Sequence, residues 1–257
     1  MKLKPVTHPV LGRLLPDKWG DTLMCFRQIP GFKDFGPASA RENFQRLDAA
    51  DRKLVDSWQT VTEALIQKCR NIEIYSSLRG LGVFEIAFSK NVDGVPSDEQ
   101  VAAWQYFQSH ETTICQNITN AMFRYYQVAR TAQEDWFADN DCPAITTEAE
   151  VRPLVTLDGI TIQNQACDGL AVLSLGWDPD WDQEHGLGMY VWKDQVIGIG
   201  VEDLIEIAEH GEYAVWNQSH MTKAEREALK RVIDEDFGER DDEDFDGEYD
   251  EEADDDE

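Results

Sequence analysis

The chain lacks the short motifs that identify the commonest catalytic and cofactor-binding sites. It contains no Walker A loop, no Gly-x-Gly-x-x-Gly, no Gly-x-Ser-x-Gly, no His-Glu-x-x-His and no Cys-x-x-Cys. These absences remove the most frequent nucleotide-binding, hydrolase and zinc-site interpretations. They leave room for an enzyme whose active site has no local motif. We favour a protein that is not an enzyme, and we predict no cofactor.

Cysteines and long apolar segments are also scarce. The five cysteines are scattered along the chain without the spacing of a zinc site, a redox motif or a disulfide framework. No apolar run approaches the roughly 18 residues of a membrane span, and the first residues lack the apolar core of a signal peptide. We therefore expect reduced thiols, no membrane contact and a cytoplasmic location.

Basic residues are few, with 23 Lys or Arg against 51 Asp or Glu and a formal net charge of -28. Residues 234–257 are mostly Asp and Glu and include a single basic residue, Arg240. Such a segment buries too little apolar surface to fold, so we predict a disordered acidic tail. Because a strongly negative surface repels phosphate backbones and anionic lipids, we expect no nucleic-acid partner, and basic proteins become the favoured partners.

Residues 1–233 have the pattern of a single α+β domain. Gly and Pro punctuate short apolar runs over residues 6–37, which predicts strands and turns. Apolar residues recur at spacings of three and four over residues 39–71, which predicts helix. Residues 72–91 have strand character, and residues 131–150 resemble a loop.

The clearest helix signal begins at Ser97. Its side chain can cap the following turn, and Gln100 can return the hydrogen bond to the backbone of Ser97. An apolar stripe then extends to about Arg130, with a plausible interruption at residues 109–113. We expect this long amphipathic helix to cover one face of the sheet.

Downstream, β-rich runs alternate with turn signals. Asp158-Gly159 lies between two such runs and predicts a two-residue hairpin. Further strands are expected at 169–175, 189–192 and 195–200. The sheet should therefore be mainly antiparallel, with the long helix on one face, a helical insertion at 39–71 and the disordered tail outside it.

The densest group of polar and aromatic residues is the segment from Trp177 to Gly188, between two predicted strands. It contains four carboxylates, one imidazole, two indoles and two glycines. Its candidate binding residues are Trp181, Asp182, Glu184, His185, Gly186 and Gly188. The two glycines allow a backbone to approach a ligand closely, or simply a bulge or a positive φ.

A metal ion is one alternative for this segment. Asp178, Asp180 and Asp182 alternate and would project to one side of an extended chain, together with His185 as a further candidate ligand. The pattern fails the EF-hand test, because Gln183 stands where the loop needs glycine and Met189 where it needs a bidentate glutamate. In a structural turn, the carboxylates would instead cap backbone amides while Trp177 and Trp181 pack against the sheet.

The segment Trp181 to Gly188 resembles a family of bacterial domains of unknown function with the signature Trp-Asp-x-Glu-His-Gly-x-Gly. The similarity extends to the Pro9–Leu14 turn, the helix start at Pro96–Gln100 and the Tyr125-Tyr126 pair. The resemblance implies an α+β domain in a bacterial cytoplasm and implies no catalytic residue. The helical segment 39–71 and the acidic tail depart from the family pattern.

Two functions from different classes are compatible with these observations. The first is a non-enzymatic protein-interaction module, of the immunity or anti-toxin type, that binds a basic partner. The second is a metal-binding domain or metal-dependent enzyme centred on Asp178–His185. The net charge and the missing catalytic motifs favour the first.

Overall fold

The computed structural model describes residues 3–17, 22–36, 47–59, 72–132, 134–139, 142–182 and 186–200. Eight strands form one sheet in the order β1 to β8. The strands are β1 (Val6–His8), β2 (Gly12–Pro16), β3 (Thr22–Gln28), β4 (Val83–Ser89), β5 (Val155–Cys167), β6 (Leu170–Pro179), β7 (Leu187–Trp192) and β8 (Gln195–Gly200). The α-helices are α1 (Ala49–Asp56), α2 (Ile72–Gly80), α3 (Asp98–Ala132) and α4 (Glu134–Asp139). Two 3₁₀ helices occupy Pro30–Phe32 and Glu148–Leu154.

The sheet is mixed, which corrects the expectation of a mainly antiparallel one. Strands β4 and β5 pair in parallel, with Ile86 opposite Ile160 and Phe88 opposite Ile162, while the other neighbouring strands pair antiparallel. A parallel pair requires a long crossover that returns the chain to the same end of the sheet. Helix α3 lies within that crossover, so the parallel pairing follows from the position of the helix in the sequence.

Helix α3 begins at the predicted capping box. The amide of Gln100 donates to the Ser97 hydroxyl at 3.2 Å, and the amide of Ser97 donates to Gln100 Oε1 at 3.0 Å. The Gln100 side chain is fully buried, and its Nε2 donates to the carbonyls of Ser89 and Ile162. One amide therefore fixes the start of α3 to the end of β4 and to the interior of β5.

The 35-residue helix α3 is kinked at His110, where φ is -119° and ψ is 15°. The hydroxyl of the preceding residue, Ser109, donates to the carbonyls of Gln105 and Tyr106. Such back-bonding from a serine side chain is a recognised cause of helix bending. The kink lies within the predicted interruption at 109–113.

Three predictions of local structure were wrong. Ile72–Gly80 is helical, because its apolar residues Ile74 and Leu78 recur at helical spacing and are fully buried. Residues 131–150 contain α4 and the start of the second 3₁₀ helix. Asp158-Gly159 makes no hairpin, because β5 continues through it with a bulge and the chain reverses at Asp168-Gly169.

The actual turn after β5 uses the same residue pair. Asp168 has φ 49° and Gly169 has φ 73°, and a hairpin turn of type I′ needs positive φ at both central residues. Asp-Gly satisfies that requirement at little steric cost. The dipeptide therefore does form a hairpin turn in this protein, but at 168–169 rather than at the predicted 158–159.

The main core lies between the sheet and α3. Phe32 of the first 3₁₀ helix is fully buried, and its ring lies 6.1 Å from Phe84, 6.0 Å from Phe107 and 5.9 Å from Trp177, centroid to centroid. These aromatic rings join β4, α3 and β6. Helix α3 contacts β5, β6 and β8, so the core side of the sheet is the side that faces α3.

Of the predicted helical insertion at 39–71, the described part contains α1. Asp48 caps this helix by accepting from the amides of Ala50 and Asp51 at 2.8 Å. Residues 37–46 and 60–71, and the acidic tail at 234–257, lie outside the described residues. Among the helices that the structure describes, none is both long and apolar enough to cross a membrane.

Candidate functional site: the acidic edge of the sheet

The segment identified in the sequence begins in β6 and leaves the sheet after Pro179. Trp177 is fully buried on the α3 side, where its ring contacts Phe35 at a centroid distance of 5.1 Å. Because side chains alternate along a strand, Asp178 projects to the opposite face. Alternation thus separates the aromatic residue from the charged one.

The turn that follows is anchored to its neighbours by backbone and aromatic contacts. The amide of Asp180 donates to the carbonyl of Leu154 at 2.8 Å, and that of Asp182 to the carbonyl of Pro179 at 3.3 Å. Trp181 is buried and meets Tyr126 of α3 edge-on at 4.8 Å. Since the extended backbone ends at Pro179, the expected alignment of three aspartates along one strand does not form.

The indole of Trp136, in α4, extends the same edge. Its Nε1 donates to the carbonyl of Trp181 at 3.1 Å, while the side chain remains half exposed. We call the surface formed by Asp158, Asp178, Asp180, Asp182 and Trp136 the acidic edge. It combines four carboxylates with one partly exposed indole, at the end of the sheet where β5 begins and β6 ends.

Arg79 of α2 holds two of these carboxylates from the face opposite α3. Its guanidinium hydrogen-bonds to Asp158 and lies 3.7 Å from an oxygen of Asp178. The Arg79 side chain is only 11% exposed, whereas those of Asp158 and Asp178 are 59% and 64% exposed. The Arg79 guanidinium also lies over the ring of Tyr75 at 4.0 Å, and the Tyr75 hydroxyl donates to the Asp158 carbonyl.

The environment of this cluster raises the pKa of two of its carboxyls, those of Asp178 and Asp180. Partial desolvation and the negative charge of Asp158 raise the pKa of Asp178, and Arg79 opposes that rise. Desolvation also raises the pKa of Asp180. Burial raises the pKa of the Tyr75 hydroxyl, so this group stays protonated at neutral pH. Arg79 therefore offsets only part of the repulsion between Asp158 and Asp178.

The sequence-predicted site residues are only partly brought together. Gly186 has φ 67°, and Gly188 pairs with Gly176 on one side and Gly200 on the other. Glu184 and His185 lie outside the described residues. Over the ranges that the structure describes, no three His, Cys, Asp or Glu side chains form a group that could hold a metal ion.

Sequence reasoning missed Arg79, Tyr75, Asp158 and Trp136 as parts of this surface. Tyr75 and Arg79 are four residues apart and therefore share one face of a helix, but the expectation of strand character over 72–91 hid this signal. Asp158 was assigned to a turn, and Trp136 to a loop.

A second polar feature is a cavity of about 480 Å³ beside the two 3₁₀ helices and α3. It is lined by Asp34, Gly36, Gln116, Thr119, Glu148, Ala149, Arg152 and Pro153. Gly36 has φ 89°, and a Cβ at that position would lie 3.0 Å from the Thr156 hydroxyl, so only glycine fits there without strain. No sequence motif pointed to this cavity.

Comparison with known protein families matches residues 59–206 to a domain of unknown function, DUF6985. No curated protein and no solved structure matches the chain. The matched region extends over more than half of the chain and includes α2, α3 and β4 to β8. The chain belongs to the DUF6985 family.

Proposed function

We propose that this DUF6985 protein is a non-enzymatic interaction module that binds a basic protein through its acidic edge. The observation that carries the proposal is the position of the half-exposed Trp136 indole beside a turn rich in aspartates. Tryptophan is enriched among the residues that dominate binding energy at protein interfaces. Carboxylates around such an anchor favour a partner that supplies Lys or Arg side chains.

The rigidity of the edge supports this role. The turn is held by the Leu154 carbonyl, by the packing of Trp181 against Tyr126 and by the Trp136 indole. A surface that is already ordered loses little conformational entropy when a partner binds. The carboxylates of Asp158 and Asp178 project from this fixed frame and are mostly exposed.

The charge of the whole chain acts in the same direction. A net charge of -28 attracts a cationic protein from a distance and raises the rate of association, in a salt-dependent way. The acidic residues of 234–257 add to this long-range field. In the proposal the tail accelerates encounter, while the edge gives orientation and specificity.

The finer form of the proposal is an immunity or anti-toxin protein, which would cover the cationic site of a harmful partner. Enzymes that act on nucleic acids have positively charged active clefts, because their substrates are polyanions. A rigid surface of carboxylates around an indole has the charge to occupy such a cleft in place of the substrate. Catalysis by the covering protein is not needed for this role.

Affinity capture from a lysate of the source cells tests the proposal with the full chain as bait. A salt series is applied to the wild type, to Trp136→Ala and to the double variant Asp178→Asn/Asp180→Asn. The matched control is Asp168→Asn/Asp194→Asn, which removes two carboxylates from turns at the opposite end of the strands. We expect a basic protein to be retained at low salt by the wild type and the control.

Both edge variants should retain at least about tenfold less of that protein, since loss of a residue that dominates binding costs about 2 kcal/mol or more and tenfold corresponds to about 1.4 kcal/mol. Equal loss from edge and control variants would indicate attraction by net charge alone and would contradict the role of the edge. Absence of any captured protein whose retention weakens with salt would contradict the proposal as a whole.

A further inference from the structure

The cavity beside the 3₁₀ helices is lined by an arginine, Arg152, whose guanidinium is held in a fixed orientation. Arg152 Nε donates to the Thr119 hydroxyl at 3.1 Å, and its guanidinium lies over the Phe35 ring, with Cζ 5.1 Å from the centroid. Thr119 is buried and donates in turn to the Cys115 carbonyl at 2.8 Å. Its hydroxyl is therefore oriented to accept from Arg152, and the arginine has little freedom to rotate.

The far end of this guanidinium remains available. Within the described ranges, no carboxylate oxygen lies within 4 Å of Arg152, and its two terminal nitrogens make no hydrogen bond. A guanidinium held by its Nε and by contact with the Phe35 ring presents those two nitrogens as a fork. That fork matches a carboxylate, which it binds through two parallel hydrogen bonds.

The cavity also contains negative charge. Asp34 and Glu148 are part of its lining. Glu148 Oε2 accepts from Gln116 Nε2 at 3.0 Å, which orients the carboxylate. One cavity is thus lined by a guanidinium and by carboxylates that do not close an ion pair with it.

We infer that this cavity binds a free α-amino acid, with the ligand carboxylate on the terminal nitrogens of Arg152 and the ligand ammonium on the Glu148 side. A zwitterion pairs with the positive charge of Arg152 and with the negative charge of Glu148 at the same time. It also avoids the repulsion that a chain of net charge -28 exerts on a simple anion. A volume of about 480 Å³ lies within the roughly 300–1,000 Å³ of small-molecule sites.

Thermal melting of the full chain in the presence of each of the twenty free amino acids tests this inference, followed by calorimetric titration of the most effective one. Acetate and methylamine, each with one of the two charges, serve as probes of the separate halves. We expect at least one amino acid to raise Tm in a saturable way. Acetate and methylamine at the same concentration should produce less than about a tenth of the binding.

Variants then locate the site. Arg152→Gln should weaken binding at least tenfold, because it removes the fork, and Glu148→Gln should weaken it by removing the negative partner of the ammonium. Arg124→Gln is the matched control, since Arg124 lies exposed on the same helix as Thr119 and changes the net charge by the same amount. Circular dichroism of each variant checks that the fold is retained.

Several outcomes would overturn the inference. These are no saturable shift with any of the twenty amino acids, acetate binding as tightly as the amino acid, or unchanged binding in a folded Arg152→Gln variant. If Arg152→Gln fails to fold, Glu148→Gln and Thr119→Val test the inference in its place, since each alters one contact at the cavity. Binding unchanged in both would also refute it. The result is independent of the acidic edge, whose variants should bind the amino acid normally.

Discussion

The two faces of the sheet are stabilised by different interactions, and β6 shows the difference within two residues. Trp177 faces α3 and is buried among phenylalanines, while Asp178 faces α2 and is mostly exposed beside Arg79. The α3 face is therefore held by apolar burial and aromatic packing. The α2 face at this end is held by charge and hydrogen bonds. Stability should depend strongly on the first and weakly on the second, and substitutions on both faces test that contrast.

The largest expected effect is that of Trp177→Ala. Removal of a fully buried indole loses its transfer free energy and leaves a cavity among Phe32, Phe35 and β6. We expect the free energy of unfolding to fall by about 3–5 kcal/mol. Urea denaturation of the two proteins measures the difference.

Two further substitutions sharpen this measurement. No hydrogen-bond acceptor meets the Trp177 Nε1 within the described part of the chain, so Trp177→Phe should retain more stability than Trp177→Ala. Trp136→Ala removes a half-exposed indole and should cost clearly less than Trp177→Ala. Equal losses for Trp177→Ala and Trp136→Ala would contradict the assignment of the two indoles to core and edge.

The next effect concerns the polar contact that joins α3 to the parallel strands. Gln100→Leu keeps a similar volume but removes the bonds to the Ser89 and Ile162 carbonyls and to the Ser97 amide. Because buried polar groups left without partners each cost about 1–3 kcal/mol, we expect a loss of about 2–3 kcal/mol. The control Gln105→Leu alters an exposed residue of the same helix and should change stability by less than about 0.5 kcal/mol. A loss no larger than that of the control would show that these bonds contribute little.

On the opposite face, Arg79→Met should have a smaller effect. The substitution keeps part of the packed stem but leaves Asp158 and Asp178 without their shared cation. A hydrogen bond to a charged group contributes about 1.5–3 kcal/mol, and exposure of both carboxylates lowers the expected loss to about 1–2 kcal/mol. Since Arg79 holds the pKa of Asp178 down, the pKa of Asp178, followed by NMR, should rise in the variant. An unchanged pKa would exclude Arg79 as its electrostatic partner.

The features of the fold that could be predicted from the sequence are those that depend on residues close together along the chain. The capping box at Ser97 and Gln100, the helix interruption near His110 and the membership in a family of domains of unknown function were accessible, because short-range patterns determine them. The parallel pairing of β4 and β5 was not accessible, since it depends on which edge of the sheet the chain rejoins after α3.

The same distinction between local and tertiary signals applies to the candidate site. The aspartates of the 177–182 segment were visible as a cluster, but Arg79 and Asp158 are separated by 79 positions and meet only through tertiary structure. The turn dipeptide Asp-Gly is found both at 158 and at 168, and the local signal is the same at these two positions. The sheet register decides between them, because β5 pairs with β6 on both sides of Asp158 and leaves it in a bulge.

The smallest effect is also the one whose sign is most informative. The pKa of Asp178 is raised in the folded protein above its ordinary value of 3.8, so folding favours the protonated carboxyl. Any stability that Asp178 contributes is therefore fully present below pH 3.8 and is lost as the pH rises through the folded-state pKa. At neutral pH the ionised carboxylate is slightly unfavourable, and Asp178→Asn should leave the protein as stable as the wild type or more stable, by less than about 0.5 kcal/mol given its exposure. The difference should disappear in urea titrations below pH 3.8, where the wild-type carboxyl is neutral in both states.

Asp158→Asn is the matched comparison and should instead destabilise the protein, because Asp158 is the closer partner of the buried Arg79. A clear loss of stability in Asp178→Asn at neutral pH would mean that the ion pair with Arg79 outweighs desolvation. Asp178 would then be a structural element of the α2 face rather than part of a surface retained for a partner.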